Sequence, residues 1–147
     1  MKVLVISPGK THDALYRDAI GEYEKRLSKR LPLEWHFPKV AGTVDEAKAI
    51  LKIIDPGDFV VLLDERGADI DTPGLAKLIE SHEQQGSKWL TFIIGGAYGV
   101  DKSVKERANL TLKLSSLVFP HMLARLILIE QLYRAVSILE GGKYHHS

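Results

Sequence analysis

Trp89-Leu90-Thr91-Phe92-Ile93-Ile94-Gly95-Gly96-Ala97-Tyr98-Gly99 decides how this chain is read. Through Ile94 the stretch is nearly continuous in apolar and β-branched side chains, the pattern of a strand buried on both faces. Such strands belong to parallel sheets, where helices cover both sides. The strand then runs into Gly95, Gly96 and Gly99. Without side chains in the way, the backbone turns sharply there and comes close to a ligand. Taken alone, the glycines serve equally well to let a strand pass into a helix.

Outward from this stretch, short apolar runs alternate with segments of helical period. The patterns predict strands at 3–7, 33–38, 58–64, 89–95 and 110–115, and helices at 12–29, 43–54, 73–85, 101–108 and 120–140. Thr72-Pro73 supplies a capping hydroxyl followed by proline at the first helical position, and Asp101 caps the short fourth helix. Five strands alternating with five helices predict an α/β fold with a mostly parallel sheet. There is no internal repeat or linker, and Asp55-Pro56-Gly57-Asp58 reads as a turn. The 147 residues suit one domain spanning 1–147.

Composition narrows the function classes. Apolar content of 45% and charged content of 27% fit an ordinary globular protein, and a formal charge of +1 gives no long-range pull on polyanions. An RNA partner would therefore have to meet local patches or a dimer surface. The absence of cysteine fits a reducing compartment and removes thiol nucleophiles and thiolate metal sites; no metal is expected. The start, Met1-Lys2-Val3-Leu4-Val5-Ile6-Ser7, is too short an apolar run for a signal peptide and reads as a first strand. A cytoplasmic location is expected.

In open α/β sheets, ligands collect beyond the carboxyl ends of the strands. Three segments leave such ends here: Asp64-Glu65-Arg66-Gly67, Gly95 to Gly99, and Ser115 to His121. Together they predict one crevice. The glycines match neither GxxxxGK[ST] nor GxGxxG, which argues against an ATPase or a dinucleotide oxidoreductase.

The last predicted helix is apolar almost all round, the mark of a buried helix. At about 100° per residue, Glu130, Gln131, Arg134 and Ser137 share one stripe, with His121 and Arg125 nearly opposite. Clamping between its own sheet and a second subunit predicts a symmetric homodimer. A membrane span is not expected, because Arg125, Glu130 and Arg134 each cost about 2.5–3.5 kcal/mol near a bilayer centre. Glu130 and Arg134 form at least an (i, i+4) pair, and on an interface helix more than that, since losing one partner strands a desolvated charge. After Gly141-Gly142, the tail Lys143-Tyr144-His145-His146-Ser147 is either a disordered end or a mobile arm that stacks on a base and moves a proton.

These features together resemble the ribosomal large-subunit RNA methyltransferase H (RlmH) family of the SPOUT superfamily. The resemblance rests on Pro8-Gly9-Lys10, Glu22-Tyr23 with Lys25-Arg26, Leu63-Asp64, Ile94-Gly95-Gly96 with Gly99, Phe119-Pro120-His121, Glu130-Gln131-Leu132-Tyr133-Arg134-Ala135 and Tyr144-His145. It spans essentially the whole chain, in order. It implies a SPOUT-type α/β fold whose C-terminal third forms a deep trefoil knot, with S-adenosyl-L-methionine as methyl donor. It further implies methylation of N3 of a pseudouridine in 23S (large-subunit) rRNA on assembled ribosomes.

Carried over residue by residue, the resemblance implies donor contacts at Leu63, at Gly96 and along Ser115, Ser116, Leu117, Val118, Phe119 and Pro120. The helix from Pro120 would form the homodimer interface, and the tail would reach the partner's cofactor. His145 is then the expected proton acceptor and Tyr144 an orienting group, with Glu130 and Arg134 supporting a composite catalytic site. His121 is weighted toward a structural role at the helix start.

Where the family tail has Arg or Lys after Tyr-His, this chain has His146 and Ser147, which puts a phosphate contact in doubt. The helix stripe Lys25, Arg26, Lys29 and Arg30 is a second RNA-facing candidate. Two other readings stay open: a catalytically silent RNA-binding or nucleotide-sensing dimer of the same fold, and a small flavodoxin-like enzyme with a nucleotide cofactor.

Overall fold

Ten elements alternate strictly along the chain in a computed structural model that describes residues 1–39, 42–95 and 99–146. The strands are β1 (Lys2–Ile6), β2 (Leu33–His36), β3 (Phe59–Ala68), β4 (Trp89–Ile94) and β5 (Leu110–Leu112). The helices are α1 (Ala14–Leu27), α2 (Thr43–Ile53), α3 (Thr72–Gln84), α4 (Lys102–Arg107) and α5 (His121–Leu139). The sheet order is β2-β1-β4-β3-β5 and every pairing is parallel.

The decisive stretch lies at the centre. Leu90, Phe92 and Ile94 of β4 join the core beneath α1, α3 and α5, whereas Ile93 joins the opposite core beneath α2 and α4. Both faces of the strand are therefore dry, as its unbroken apolar run demands, and each fully buried large side chain contributes about 1.5–3 kcal/mol. Helix ends follow local chemistry. Asp71 accepts from the Gly74 N–H at 2.8 Å with Pro73 in the first turn of α3, and Asp101 accepts from the Ser103 N–H at 3.0 Å to start α4.

The two largest departures from the predicted strand boundaries, at the ends of β3 and β5, share one reason. Leu112 pairs with both Leu63 and Ala68, so residues 64–67 form a bulge in β3 instead of a loop beyond it. Gly67 lies flat on the partner strand, and a Cβ there would come within 2.6 Å of the Leu112 backbone. β3 thus runs on to Ala68 while β5 ends at Leu112, where the chain leaves for α5.

α5 is seated within its own chain. It packs against α1, α3 and β4 of its own chain, and Leu128, Ile129, Leu132, Ala135 and Val136 are buried there. The side chain of Gln131 even ties α5 to α3 by accepting from the Thr72 hydroxyl at 2.7 Å.

Candidate active site

The routes taken by the connections create a crevice. From β4 the chain passes to α4 on one face of the sheet, while neighbouring β1 and β3, and β5 beyond, pass to α1, α3 and α5 on the other. Connections that part in opposite directions leave an opening over the carboxyl end of β4. A cavity of about 470 Å³ occupies that place, within the usual range for small-molecule sites.

Three segments build it, as the sequence reading expected. The β3 bulge brings Leu63, Asp64, Glu65 and Arg66; the end of β4 brings Ile94, Gly95, Gly99 and Val100. The segment before α5 brings Leu114, Ser115, Leu117, Val118, Phe119 and Pro120, followed by His121 and Ala124 of the helix itself. The bulge is held by Asp64, whose carboxylate accepts from the Arg66 N–H at 2.9 Å. Gly95 is needed for fit, because a Cβ there would lie 2.5 Å from Val100 Cγ2. Gly99 has φ +84°, a left-handed conformation that favours glycine.

Of the expected donor residues, Leu63, Ser115, Leu117, Val118, Phe119 and Pro120 line the cavity. Ser116 is turned toward Lys113, which donates to its hydroxyl at 3.1 Å and also pairs with Asp69 at 3.1 Å. Gly96, with Ala97 and Tyr98, lies outside the described residues. Ser115 accepts from the Leu117 N–H at 3.0 Å, a turn that leaves Leu117 and Val118 71% and 77% exposed at the rim. Apolar walls with Asp64, Glu65, Arg66 and Lys105 at the edge suit a ligand that carries an aromatic group and charges of both signs.

Below the rim, the first turn of α5 is pinned by a buried cation that sequence reasoning placed but did not explain. Arg125 is fully buried. Its guanidinium donates to Ser7 Oγ at 2.7 Å and to the Lys10 carbonyl at 2.9 Å, and sits 4.6 Å from the Phe37 ring centre. Burial brings its pKa down to about 10. His12, 3.4 Å from the same guanidinium, is pushed down to about 4 by burial and by that charge. His121 is lowered by burial first and Arg125 second, so at neutral pH both imidazoles are uncharged. Arg125 thus fastens the β1–α1 connection to α5.

The catalytic candidates gather elsewhere. Glu130 accepts from Arg134 Nε at 2.8 Å, from Tyr144 Oη at 3.2 Å and from the side-chain amide of Gln131 at 2.8 Å. The Tyr144 ring meets Tyr133 edge-on at 4.8 Å and lies under the Arg134 guanidinium at 4.7 Å. Its hydroxyl also contacts that of Tyr23 at 3.2 Å. The hydrogen bond with Tyr23, burial and the nearby Glu130 charge push the Tyr144 phenol up to about 12. Beside it, His145 Nδ1 is buried without a hydrogen-bond partner among the described residues. Glu130 is nine residues from His121, roughly 13.5 Å along the helix and on its far side. Within one chain, the donor-loop residues come together and the tail group forms a second cluster apart from them.

The basic stripe of α1 is partly consumed. Arg26 pairs with Glu22 at 3.2 Å, and Arg30 pairs with Glu83 at 3.0 Å and Glu140 at 3.5 Å. Lys25 and Lys29 make no ion pair among the described residues. No group of three or more metal-ligating side chains occurs among the described residues, and no described helix is long and apolar enough to cross a membrane.

Comparison with known proteins agrees with the geometry. Residues 1–145 match the family model described as "Predicted SPOUT methyltransferase". A protein of Gloeobacter violaceus named ribosomal RNA large subunit methyltransferase H is 40% identical over 153 residues, covering 99% of each chain. Proteins of the same name from Trichlorobacter lovleyi and Acetivibrio thermocellus are 39% and 37% identical, covering 99% of this chain and 100% and 99% of their own.

Proposed function

This chain belongs to the SPOUT methyltransferase family, in its ribosomal RNA large subunit methyltransferase H branch, and on that premise we propose that it methylates N3 of a pseudouridine in large-subunit rRNA of the assembled ribosome. The observation that carries the proposal is the cavity over the end of β4, walled by the segments that the family resemblance assigns to S-adenosyl-L-methionine. The residues fit that donor. Leu117, Val118 and Phe119 give apolar cover for its adenosine, and the rim carries charges of both signs for its amino-acid end. When bound, the donor supplies an electrophilic methyl group on a sulfonium.

The chain's own part is positioning and proton management. Holding donor and base in line removes roughly 7–11 kcal/mol from a bimolecular barrier. The C–N bond forms as the S–C bond breaks, and the N3 proton must go to a base. Glu130 is occupied by Arg134, Gln131 and Tyr144, and Tyr144 holds its proton far above neutral pH. The family resemblance makes His145 the proton acceptor, with Tyr144, Glu130 and Arg134 orienting it.

The family resemblance brings the tail of one protomer to the cavity of its partner in a homodimer, and the separation of tail cluster and cavity within one chain supports this. The domain is the whole chain, 1–147, acting in the cytoplasm on ribosomes. The deep trefoil knot of the family belongs to the same proposal. The test is transfer of labelled methyl from S-adenosyl-L-methionine to ribosomes lacking the modification, mapped by mass spectrometry, beside a chain truncated before Tyr144. Label on pseudouridine N3, lost with the tail, is expected. Donor binding without transfer would sink the enzyme reading in favour of a silent RNA-binding dimer.

A further inference from the structure

The tail is held by a residue 121 positions away in sequence: the Tyr23 hydroxyl lies 3.2 Å from that of Tyr144. On its other side the Tyr144 hydroxyl reaches the Glu130 carboxylate, 3.2 Å away, so a chain of contacts runs from Tyr23 through Tyr144 to Glu130, closed by Arg134 on the same carboxylate. Around it the rings are locked. Tyr23 packs on Tyr133 at 5.9 Å, Tyr133 on Tyr144 at 4.8 Å, and the Arg26 guanidinium covers both Tyr23 and Tyr133 at 5.3 and 5.4 Å.

These contacts hold the Tyr144 ring and hydroxyl from several sides, and His145 is the next residue. Its buried Nδ1, unpartnered among the described residues, shows that the tail is pressed against the protein and still lacks a polar partner there. Glu130 and Arg134 sit on α5, but Tyr23 sits on α1. Through its hydroxyl, Tyr23 ties Tyr144 itself to a second element. We infer that Tyr23 is a positioning residue for the C-terminal tail, acting through Tyr144 to set where His145 is presented. The inference rests on the reading of the tail as part of the methyl-transfer site.

The test compares wild type, Tyr23→Phe, Tyr144→Phe and the double variant. Tyr23→Phe keeps the ring stack and removes only the hydroxyl-to-hydroxyl hydrogen bond. Expected is a fall in kcat of about 3- to 10-fold, the worth of one hydrogen bond, with KM for donor and thermal midpoint unchanged. The double variant should be no slower than Tyr144→Phe, because coupled groups are not additive. The heteronuclear NOE of the His145 amide, which reads tail order without any turnover, should fall in Tyr23→Phe. Additive losses, an equal loss of donor affinity, or an unchanged His145 NOE would each overturn the inference. A wild type without methyl transfer whose tail still loosens in Tyr23→Phe would sink the enzyme reading and leave the hold of Tyr23 on the tail standing.

Discussion

Individual residues carry this architecture where backbones meet. Gly67 rests on the Leu112 backbone, with room for no side chain, and Gly57 in the α2–β3 turn has open space around it. Gly67→Ala should lower unfolding free energy by about 1–3 kcal/mol through overpacking and weaken donor binding by disturbing the bulge. Gly57→Ala should do neither; urea melts and donor titration of the pair check this. His12 offers a pH signature. In the unfolded chain it takes a proton near 6.5, whereas the native site holds it down to about 4. Between these values the unfolded state binds more protons, so stability present above pH 6.5 is lost as pH falls toward 4. His82 and His121 shift in the same direction. His12→Gln should flatten the fall in urea midpoint across that window, and an unchanged slope would show that His12 is not responsible. The need for glycine at Gly95 and Gly99 was readable in sequence because the type of residue itself sets the backbone freedom and the room beside it. The Arg125 anchor was not, since its acceptors, the Ser7 hydroxyl and Lys10 carbonyl, lie more than a hundred positions away and one is backbone.

At the scale of elements, periodicity located all five strands and all five helices because each buries a defined face. Its errors fall where pairing decides the end of a strand. The register slip opposite Leu112 depends on how two strands meet, which neither strand encodes alone. The same limit applies to α5. Its all-round apolarity predicts burial but does not name the covering surfaces, and within the chain these are α1, α3 and β4. Leu132 measures that in-chain contribution, being fully buried on the side facing the core. Leu132→Ala should cost about 2–5 kcal/mol, with no dependence of the loss on protein concentration in urea melts. A loss that grows with dilution would place Leu132 at a subunit interface instead.

For the whole molecule, the question is how the donor cavity and the tail cluster come to act on one base. The three loops of the cavity were legible because parallel topology forces ligands to the strand ends. The tail's place was legible only through family resemblance, as nothing in a five-residue end specifies a docking partner, and the contact with Tyr23 depends on α1 and α5 lying side by side. A site shared between protomers makes a quantitative prediction that a site within one chain does not. Take one variant truncated before Tyr144, which keeps its cavity, and a second, Gly95→Val, whose added side chain crowds Val100 and blocks the cavity while the tail stays intact. Each alone should be inactive. Mixed in equal amounts and allowed to exchange subunits, half of the dimers are mixed, and each mixed dimer holds one complete site of two. Activity should therefore return to about a quarter of wild type. If tail and cavity of the same chain make the site, no mixed dimer contains a working one, and the mixture stays as inactive as its parts.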